Sequence, residues 1–444
     1  MSAKEIIKKI EEAGGKALFI GGFVRDKVLN IPNEDIDIEV YKMDAETLIK
    51  ILSEFGKVDQ VGASFGVIKL TTPEADYDFS LPRRENKTGQ GHKGFMVEID
   101  PTITPAEAAS RRDFTCNSLA MNPDTGEVLD FFDGVADARN GILRHTSDAF
   151  TEDPLRVLRG MQFAGRFGFE IARETRLLIA NHMKGEFHQL PVERIWGEFW
   201  KWACKSEHPS AGIDWLADTW VENFPELDAL MFSPQDPTWH PEGSVLNHTN
   251  FVCDQAAIIA EREQLDPVDR GVLVLAALCH DMGKPETMTT NEEGRIVNPK
   301  HAQSDAAERF LTQIGCPASI KNRVLDMVRE HMAHLNGASP RTVRRLIARM
   351  KFASVKDLVM LIEADHSGRP PLPRGLPETA REIARIANEI GNVVKPVLMG
   401  RHLIEMGMKP GRTFGKILKE AFEAQLDGAF DSPDGGKAWV KNAA

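Results

Sequence analysis

Two periodicities divide this 444-residue chain. Over residues 1–140, short apolar runs and period-two alternation mark strands at 17–20, 35–41, 65–70 and 76–81. The same stretch carries helix spacing over 3–13 and 44–55. Beyond residue 150 strand signals almost vanish. Leu155, Leu158, Met161, Phe163 and Phe167 follow helical spacing, as do Ile195, Phe199 and Trp200. A chain that mixes strand with helix and then abandons strands is α+β at its head and all-α afterwards. Proline clusters at 233–243 and 369–377 mark further boundaries. The expected parts are a head over 1–140, a helical neck over 141–235, a third helical block over 236–370 and a helical tail over 371–444. Segment 83–97 is polar, basic and glycine-bearing, and reads as a mobile loop.

Composition excludes several classes. The five cysteines form no CxxC pair, which fits neither a disulfide framework nor a zinc ribbon and points to a reducing, cytoplasmic setting. No apolar run of signal-peptide type opens the chain, and none is long enough to span a membrane. The net charge of −12 excludes a generally basic surface. It leaves room for nucleic acid on a confined basic groove.

Within GGFVRDKVLNIPNEDIDIEVY (21–41), Asp35 and Asp37 leave one face of a strand. Paired carboxylates repel, raise each other's pKa, and suit a hard cation such as Mg²⁺ together with substrate phosphates. The bland alternative is a two-faced strand showing its acids to water. Gly21 and Gly22 precede a helix, so a turn there lets backbone N–H groups meet a phosphate, and Arg25 stands one turn on. Asp78, on the 76–81 strand, is preferred over Glu39 as a third carboxylate. Glu39 reads as a solvated strand residue.

Arg111 and Arg112 beside Asp113, in RRDFTCNSLA, suit a triphosphate and a ribose hydroxyl; the alternative is a solvated helix end. In EDPLRVLR, Asp153, Arg156 and Arg159 recur at i, i+3 and i+6. An acceptor-only acid and donor-only arginines match the edge of a base, or form an ordinary capping acid with an ion pair.

GGFVRD, DID, RRDFTCNSLA, LDFFDG and EDPLRVLR stand in an order and spacing that resembles the class II tRNA nucleotidyltransferases, the CCA-adding enzymes. These belong to the polymerase-β-like nucleotidyltransferase superfamily. The resemblance implies that Asp35 and Asp37 hold the metal. It implies that Gly21, Gly22, Arg25, Arg112 and Asp113 hold the triphosphate and sugar, and that Asp153, Arg156 and Arg159 read the base of CTP or ATP. Arg83, Arg84 and Lys93 would take part in the switch from C to A addition. PVERIWGEFWK (191–201) would be the neck segment behind the base-reading helix, with Glu193 and Arg194 a structural pair. Residues 398–422 resemble the tRNA-binding C-terminal segment.

The third block carries His248, His280, Asp281 and Asp365 on separate helical segments, ligand types shared by divalent transition metals. Their order, with GKP after the His–Asp pair, resembles the HD phosphohydrolase superfamily. That resemblance implies a site for an ion such as Ni²⁺ or Mn²⁺, and His301 and His331 fall where ligands of a second ion would sit; His240, His334 and His366 are weaker candidates. CCA-adding enzymes of Gram-negative bacteria that carry an HD block are associated with 2′,3′-cyclic phosphodiesterase, 2′-nucleotidase and phosphatase activities. The expected partners are tRNA, ATP and CTP, with a monomer or homodimer left open. A bacterial poly(A) polymerase shares the head and neck but would add A alone. A stringent-response synthetase–hydrolase would put its HD block first. An RNA-binding protein with decayed sites would have lost the intact acids and histidines.

Overall fold

The computed structural model describes residues 3–61, 67–87, 95–391 and 394–443, with the backbone alone at 60–61, 84–87 and 95–99. The chain forms two compact units, Met1–Phe199 with Ala211–Asn223 and Trp200–Ser210 with Phe224–Ala444.

The first unit opens with α1 (Ala3–Glu12), whose Ile6, Ile7 and Ile10 are buried on one stripe. β1 (Lys16–Ile20) leads directly into α2 (Gly21–Val28) and then β2 (Ile36–Tyr41). Asp44 caps α3 (Ala45–Leu52) by accepting the Thr47 N–H, a bond of a kind that contributes about 1 kcal/mol. β3 (Lys57–Val61), β4 (Val67–Thr71) and β5 (Asp76–Ser80) follow, then β6 (Arg83–Lys87) and β7 (Phe95–Ile99). After α4 (Pro105–Ser110) come β8 (Ala120–Met121) and β9 (Val128–Leu129). The sheet has seven strands in the order β3-β4-β5-β2-β1-β8-β9. β2 and β5 are parallel, in a register that sets Asp37 beside Asp78. Ile38, Val40, Leu70 and Phe79 are wholly buried in the sheet's core.

The loop expected over 83–97 is a correction. β6 and β7 pair as an antiparallel ribbon from Arg83↔Ile99 to Lys87↔Phe95. Pairing with the apolar β7 (FMVEI) makes the polar β6 (RRENK) extended despite its weak strand propensity. Lys93 and the side chain of Arg84 lie outside what is described. β3 (KVDQV) also went unpredicted: it has few apolar residues and pairs with β4 alone.

α5 (Gly134–Asn140) and α6 (Leu155–Phe167) complete the support of the cavity described below. α6 stops at Gly168, whose φ of 68° no β-carbon residue adopts cheaply. α7 (Arg173–His182), α8 (Val192–Lys205) and α9 (Pro209–Thr219) follow.

The second unit is helical apart from a small β-ribbon, Thr289–Thr290 with Ile296–Val297. α10 (Pro225–Met231) precedes α11 (Val245–Arg262) and α12 (Pro267–Cys279). α12 is apolar all round and buried from Gly271 to Cys279, as a central helix must be. It ends where His280 and Asp281 begin. α13 (Lys284–Thr287), α14 (Ala306–Gln313), α15 (Ala318–Glu330), α16 (Pro340–Arg349) and α17 (Val355–Ser367) follow. α18 (Glu378–Ile390), α19 (Gly400–Glu405), α20 (Arg412–Leu426) and α21 (Pro433–Ala443) close the chain. Among the described residues no helix is long and apolar enough to cross a membrane.

Candidate active site and metal centre

A polar cavity of about 460 Å³ opens in the first unit. Gly21, Gly22, Arg25, Asp35, Asp37, Arg112, Asp113, Asp153, Arg156 and Arg159 all line it. Residues more than 100 positions apart thus meet because α2, β2 and α6 converge there. Asp78 is not a lining residue; it is exposed beside Asp37 across the β2–β5 register. Burial raises the Asp37 carboxyl to about 6, Arg112 opposes this, and Asp78 and Asp35 add to it. Oxygen ligands in excess negative charge fit a hard divalent cation.

Gly21 is held at φ +67°, where a β-carbon would also lie 3.0 Å from Arg112 Nη1. Its own N–H donates to the Leu119 carbonyl, 3.0 Å away. Gly21 therefore contributes shape and not, as the motif led us to expect, a phosphate-facing N–H. Arg25 is likewise fixed. It is 3% exposed, donates to Asp26 Oδ1 (2.7 Å) and Asn117 Oδ1 (2.6 Å), and lies 4.4 Å from the Phe167 ring centre.

Asp113 is buried and accepts from Arg159 Nε (2.7 Å), Asn117 Nδ2 (3.1 Å) and its neighbour's N–H. Burial pushes its carboxyl up, but Arg159 and Asn117 outweigh that and hold it below the usual range. Asp153 lies just before α6, not within it, and accepts the Leu155 N–H (3.0 Å) and Arg194 Nη2 (2.9 Å). Arg194, expected in the neck segment behind the base-reading helix, reaches the cavity by this bond to Asp153. Arg156 donates to the carbonyls of Ala149 and Arg111, at 2.5 and 2.6 Å.

Glu39 needs correction. It is 9% exposed, accepts the Tyr41 hydroxyl at 2.5 Å, and lies 3.6 Å from Arg112 Nη2. Period-two alternation put it on the acidic face, but that face is covered at this end of β2. Asn33, Asn117, Phe163, Arg166 and Arg194 also line the cavity and were missed. Asn117, four residues after Asp113 in the same motif, was the one with a readable signal.

In the second unit the donors converge tightly. His280 Nε2 lies 3.3 Å from His248 Nε2 and 3.1 Å from Asp281 Oδ2. His248 Nε2 lies 3.1 Å from Asp365 Oδ1. On the other side of Asp281, Oδ1 is 3.3 Å from His301 Nε2, which is 3.2 Å from His331 Nε2. All four named acids and histidines, with His301 and His331, are thus brought together. The Nδ1 atoms of His280, His301 and His331 sit 2.7, 2.8 and 2.7 Å from the carbonyls of Ala277, Asn298 and Val328. Each Nδ1–H therefore donates to backbone and each Nε2 is aimed inward. Imidazole nitrogens in such contact need a proton or a cation between them. Burial lowers His248, but Asp365 and Glu242 outweigh it and raise that ring to about 9; a bound cation would take the place of this proton. The donor set fits a divalent transition metal on either side of Asp281. Gly283 permits the closure: a β-carbon there would come 2.2 Å from the His301 carbonyl oxygen.

Sequence reasoning missed Glu242, Gln235 and the contacts of Lys284. Lys284 Nζ lies 2.6 Å from Asp281 Oδ2 and 2.6 Å from Gln235 Oε1. Of the weaker candidates, His240 lies 4.7 Å, ring to ring, from His248, while Nδ1 of His334 faces the His331 carbonyl at 3.1 Å. His366 Nδ1 has no partner. Asp35, Asp37 and Asp78 make up no comparably tight cluster among the described residues.

Residues 17–144 match the model of the poly A polymerase head domain, and 245–376 match that of the HD domain. The multifunctional CCA protein of Pasteurella multocida is 34% identical over 372 residues, covering 80% of this chain and 84% of that protein. That of Haemophilus influenzae is 38% identical over 278 residues, covering 61% and 64%. The Bacillus stearothermophilus CCA-adding enzyme in complex with CTP has the same fold, with a TM-score of 0.68, 19% identity and coverage of 99% and 96%. The Thermotoga maritima CCA-adding enzyme complexed with tRNA aligns at a TM-score of 0.60, 21% identical, covering 100% and 96%.

Proposed function

The chain belongs to the multifunctional CCA proteins, CCA-adding nucleotidyltransferases with an HD domain, and on that premise we propose that it adds C, C and A to tRNA 3′ ends from CTP and ATP. The supporting observation is the single cavity that carries the paired acids and the Asp153, Arg156 and Arg159 set together. Solved relatives of the same fold are in complex with CTP, ATP or tRNA.

Asp35 and Asp37 would hold Mg²⁺, with Asp78 the third carboxylate beside them. When bound, Mg²⁺ supplies charge neutralisation for the phosphates and acidifies the attacking hydroxyl. Arg112 and Arg25 receive the triphosphate, and the Gly21 turn leaves room for it. Asp113, fixed by Arg159, faces the ribose. Asp153 and Arg156 meet the base edge, with Arg194 holding Asp153 at its angle. The tRNA 3′-hydroxyl displaces pyrophosphate from the α-phosphorus, and the pre-set arginines gain most as charge builds on the departing oxygens. The helical tail over 371–444 would take part in binding tRNA.

The HD unit hydrolyses phosphoesters, with 2′,3′-cyclic and 2′-phosphates at RNA ends as its substrates and a transition metal such as Ni²⁺ or Mn²⁺ in the His248, His280, Asp281 and Asp365 site. His301 and His331 would serve a second ion. Lys284, beside Asp281, faces the phosphate. Action on tRNA and nucleoside triphosphates supports a cytoplasmic setting. Incubation with Mg²⁺, tRNA lacking CCA and CTP should give two C additions, and CTP with ATP one further A. Long A tails, or no addition, would sink the reading.

A further inference from the structure

The metal centre is closed on one side by a carboxylate that no motif marks. Glu242 belongs to the proline-rich stretch before α11, and its side chain is fully buried. One oxygen, Oε1, lies 2.9 Å from His240 Nδ1 and 2.8 Å from His248 Nδ1. The other, Oε2, is buried and has no hydrogen-bond partner among the described residues. His248 Nδ1 also lies 3.2 Å from the Gly368 carbonyl. An acid acceptor on Nδ1 fixes the tautomer, so both rings carry their proton on the Glu242 side and turn Nε2 away from it.

Two arms leave Glu242 and meet again at Asp281. Through His248, Nε2 reaches Asp365 and lies 3.7 Å from Asp281 Oδ2. Through His240, Nε2 lies 3.5 Å from Lys284 Nζ, which in turn reaches Asp281 Oδ2 at 2.6 Å. The ring of partners therefore runs Asp281, Lys284, His240, Glu242, His248 and back. We infer that Glu242 is a positioning residue of the metal centre: one buried oxygen orients a metal-facing histidine and a histidine that faces Lys284 at once. Carboxylates that accept from a ligating imidazole raise its basicity and hold its angle. Burying a carboxylate is costly unless its hydrogen bonds offset the lost hydration, and here those bonds go to the two imidazoles.

The inference rests on the metal-site reading above, and Co²⁺ titration of the full-length protein by calorimetry separates the two. Glu242→Ala should weaken Co²⁺ binding by about 10- to 100-fold, with CCA addition unchanged as the check on folding. Glu242→Gln keeps the oxygen and drops the charge, so a smaller loss is expected. If Glu242→Ala does not fold, an unchanged Co²⁺ affinity in Glu242→Gln overturns the inference. A folded Glu242→Ala that binds Co²⁺ as tightly as the parent also overturns it. So does a variant that loses one ion from the stoichiometry at unchanged affinity, since Glu242 would then be a ligand of its own site. A parent chain that takes up no Co²⁺ overturns the metal-site reading and this inference with it.

Discussion

In the head, Asp35 is exposed, Asp37 half-buried, and arginines ring a cavity of about 460 Å³. In the second unit, His248, His280, Asp281 and His331 are buried and their donor atoms touch. The head leaves its charge open to the cavity: its arginines are tied down by Asp26, Asp113 and backbone carbonyls, and on the function proposed above the negative charge they would meet is that of a triphosphate. The candidate metal centre gathers its acids and histidines into direct contact with one another. A substrate site tolerates distance between its groups because the substrate spans them. A metal shell does not, because ligand distances near 2 Å allow no slack.

The largest test of this contrast exchanges the two failures. Asp37→Ala should cut nucleotide addition on the order of 10³-fold and spare hydrolysis of 2′,3′-cyclic AMP; Asp281→Ala should do the reverse. Equal loss of addition in both would break the two-site account. Second, Co²⁺ at about 100 times its Kd should stabilise the second unit by about 2.7 kcal/mol, seen as a raised Tm in calorimetry, and leave the head transition in place. Third, Arg194→Ala releases Asp153 and should change the ratio of kcat/KM for CTP and ATP about tenfold while affecting their sum less.

Fourth, the depressed carboxyl of Asp113 makes a signed prediction. A carboxylate held low by Arg159 contributes its stability above the ordinary carboxylate range and loses it as pH falls through the folded value. The head of Asp113→Asn should therefore lose less stability than the parent between neutral and acid pH, in urea melts followed on the head transition. The smallest effect belongs to the Glu39 pair. Tyr41→Phe removes one buried hydrogen bond near Arg112 and should raise KM for nucleotides by roughly twofold to fivefold with kcat unchanged, as a loss near 1 kcal/mol implies.

The head's strands at 16–20, 36–41, 67–71 and 76–80 were legible because they alternate or run apolar against a core. The ribbon at 83–87 and 95–99 was not, because its first strand, RRENK, carries no such pattern and is extended only through its pairing with the second. Among site residues, the aspartates and histidines could be named because their types do chemistry that few others do. Asn33 and Arg166 could not be ranked above other polar residues until the fold set them on the cavity.

Sequence alone determined the candidate acids and histidines, the α+β head, the helical remainder and the membership that five short motifs in register imply. Tertiary structure decided which acids face substrate and which are absorbed. Glu39 shares Asp37's side of β2, yet one meets the cavity and the other Tyr41. Glu242 precedes α11 in a stretch that reads as a boundary, yet it closes a ring of contacts on Asp281. The reason is the same in both cases: pattern gives the direction of a side chain from its own strand or helix, while burial and hydrogen bonding depend on what a distant segment brings to meet it.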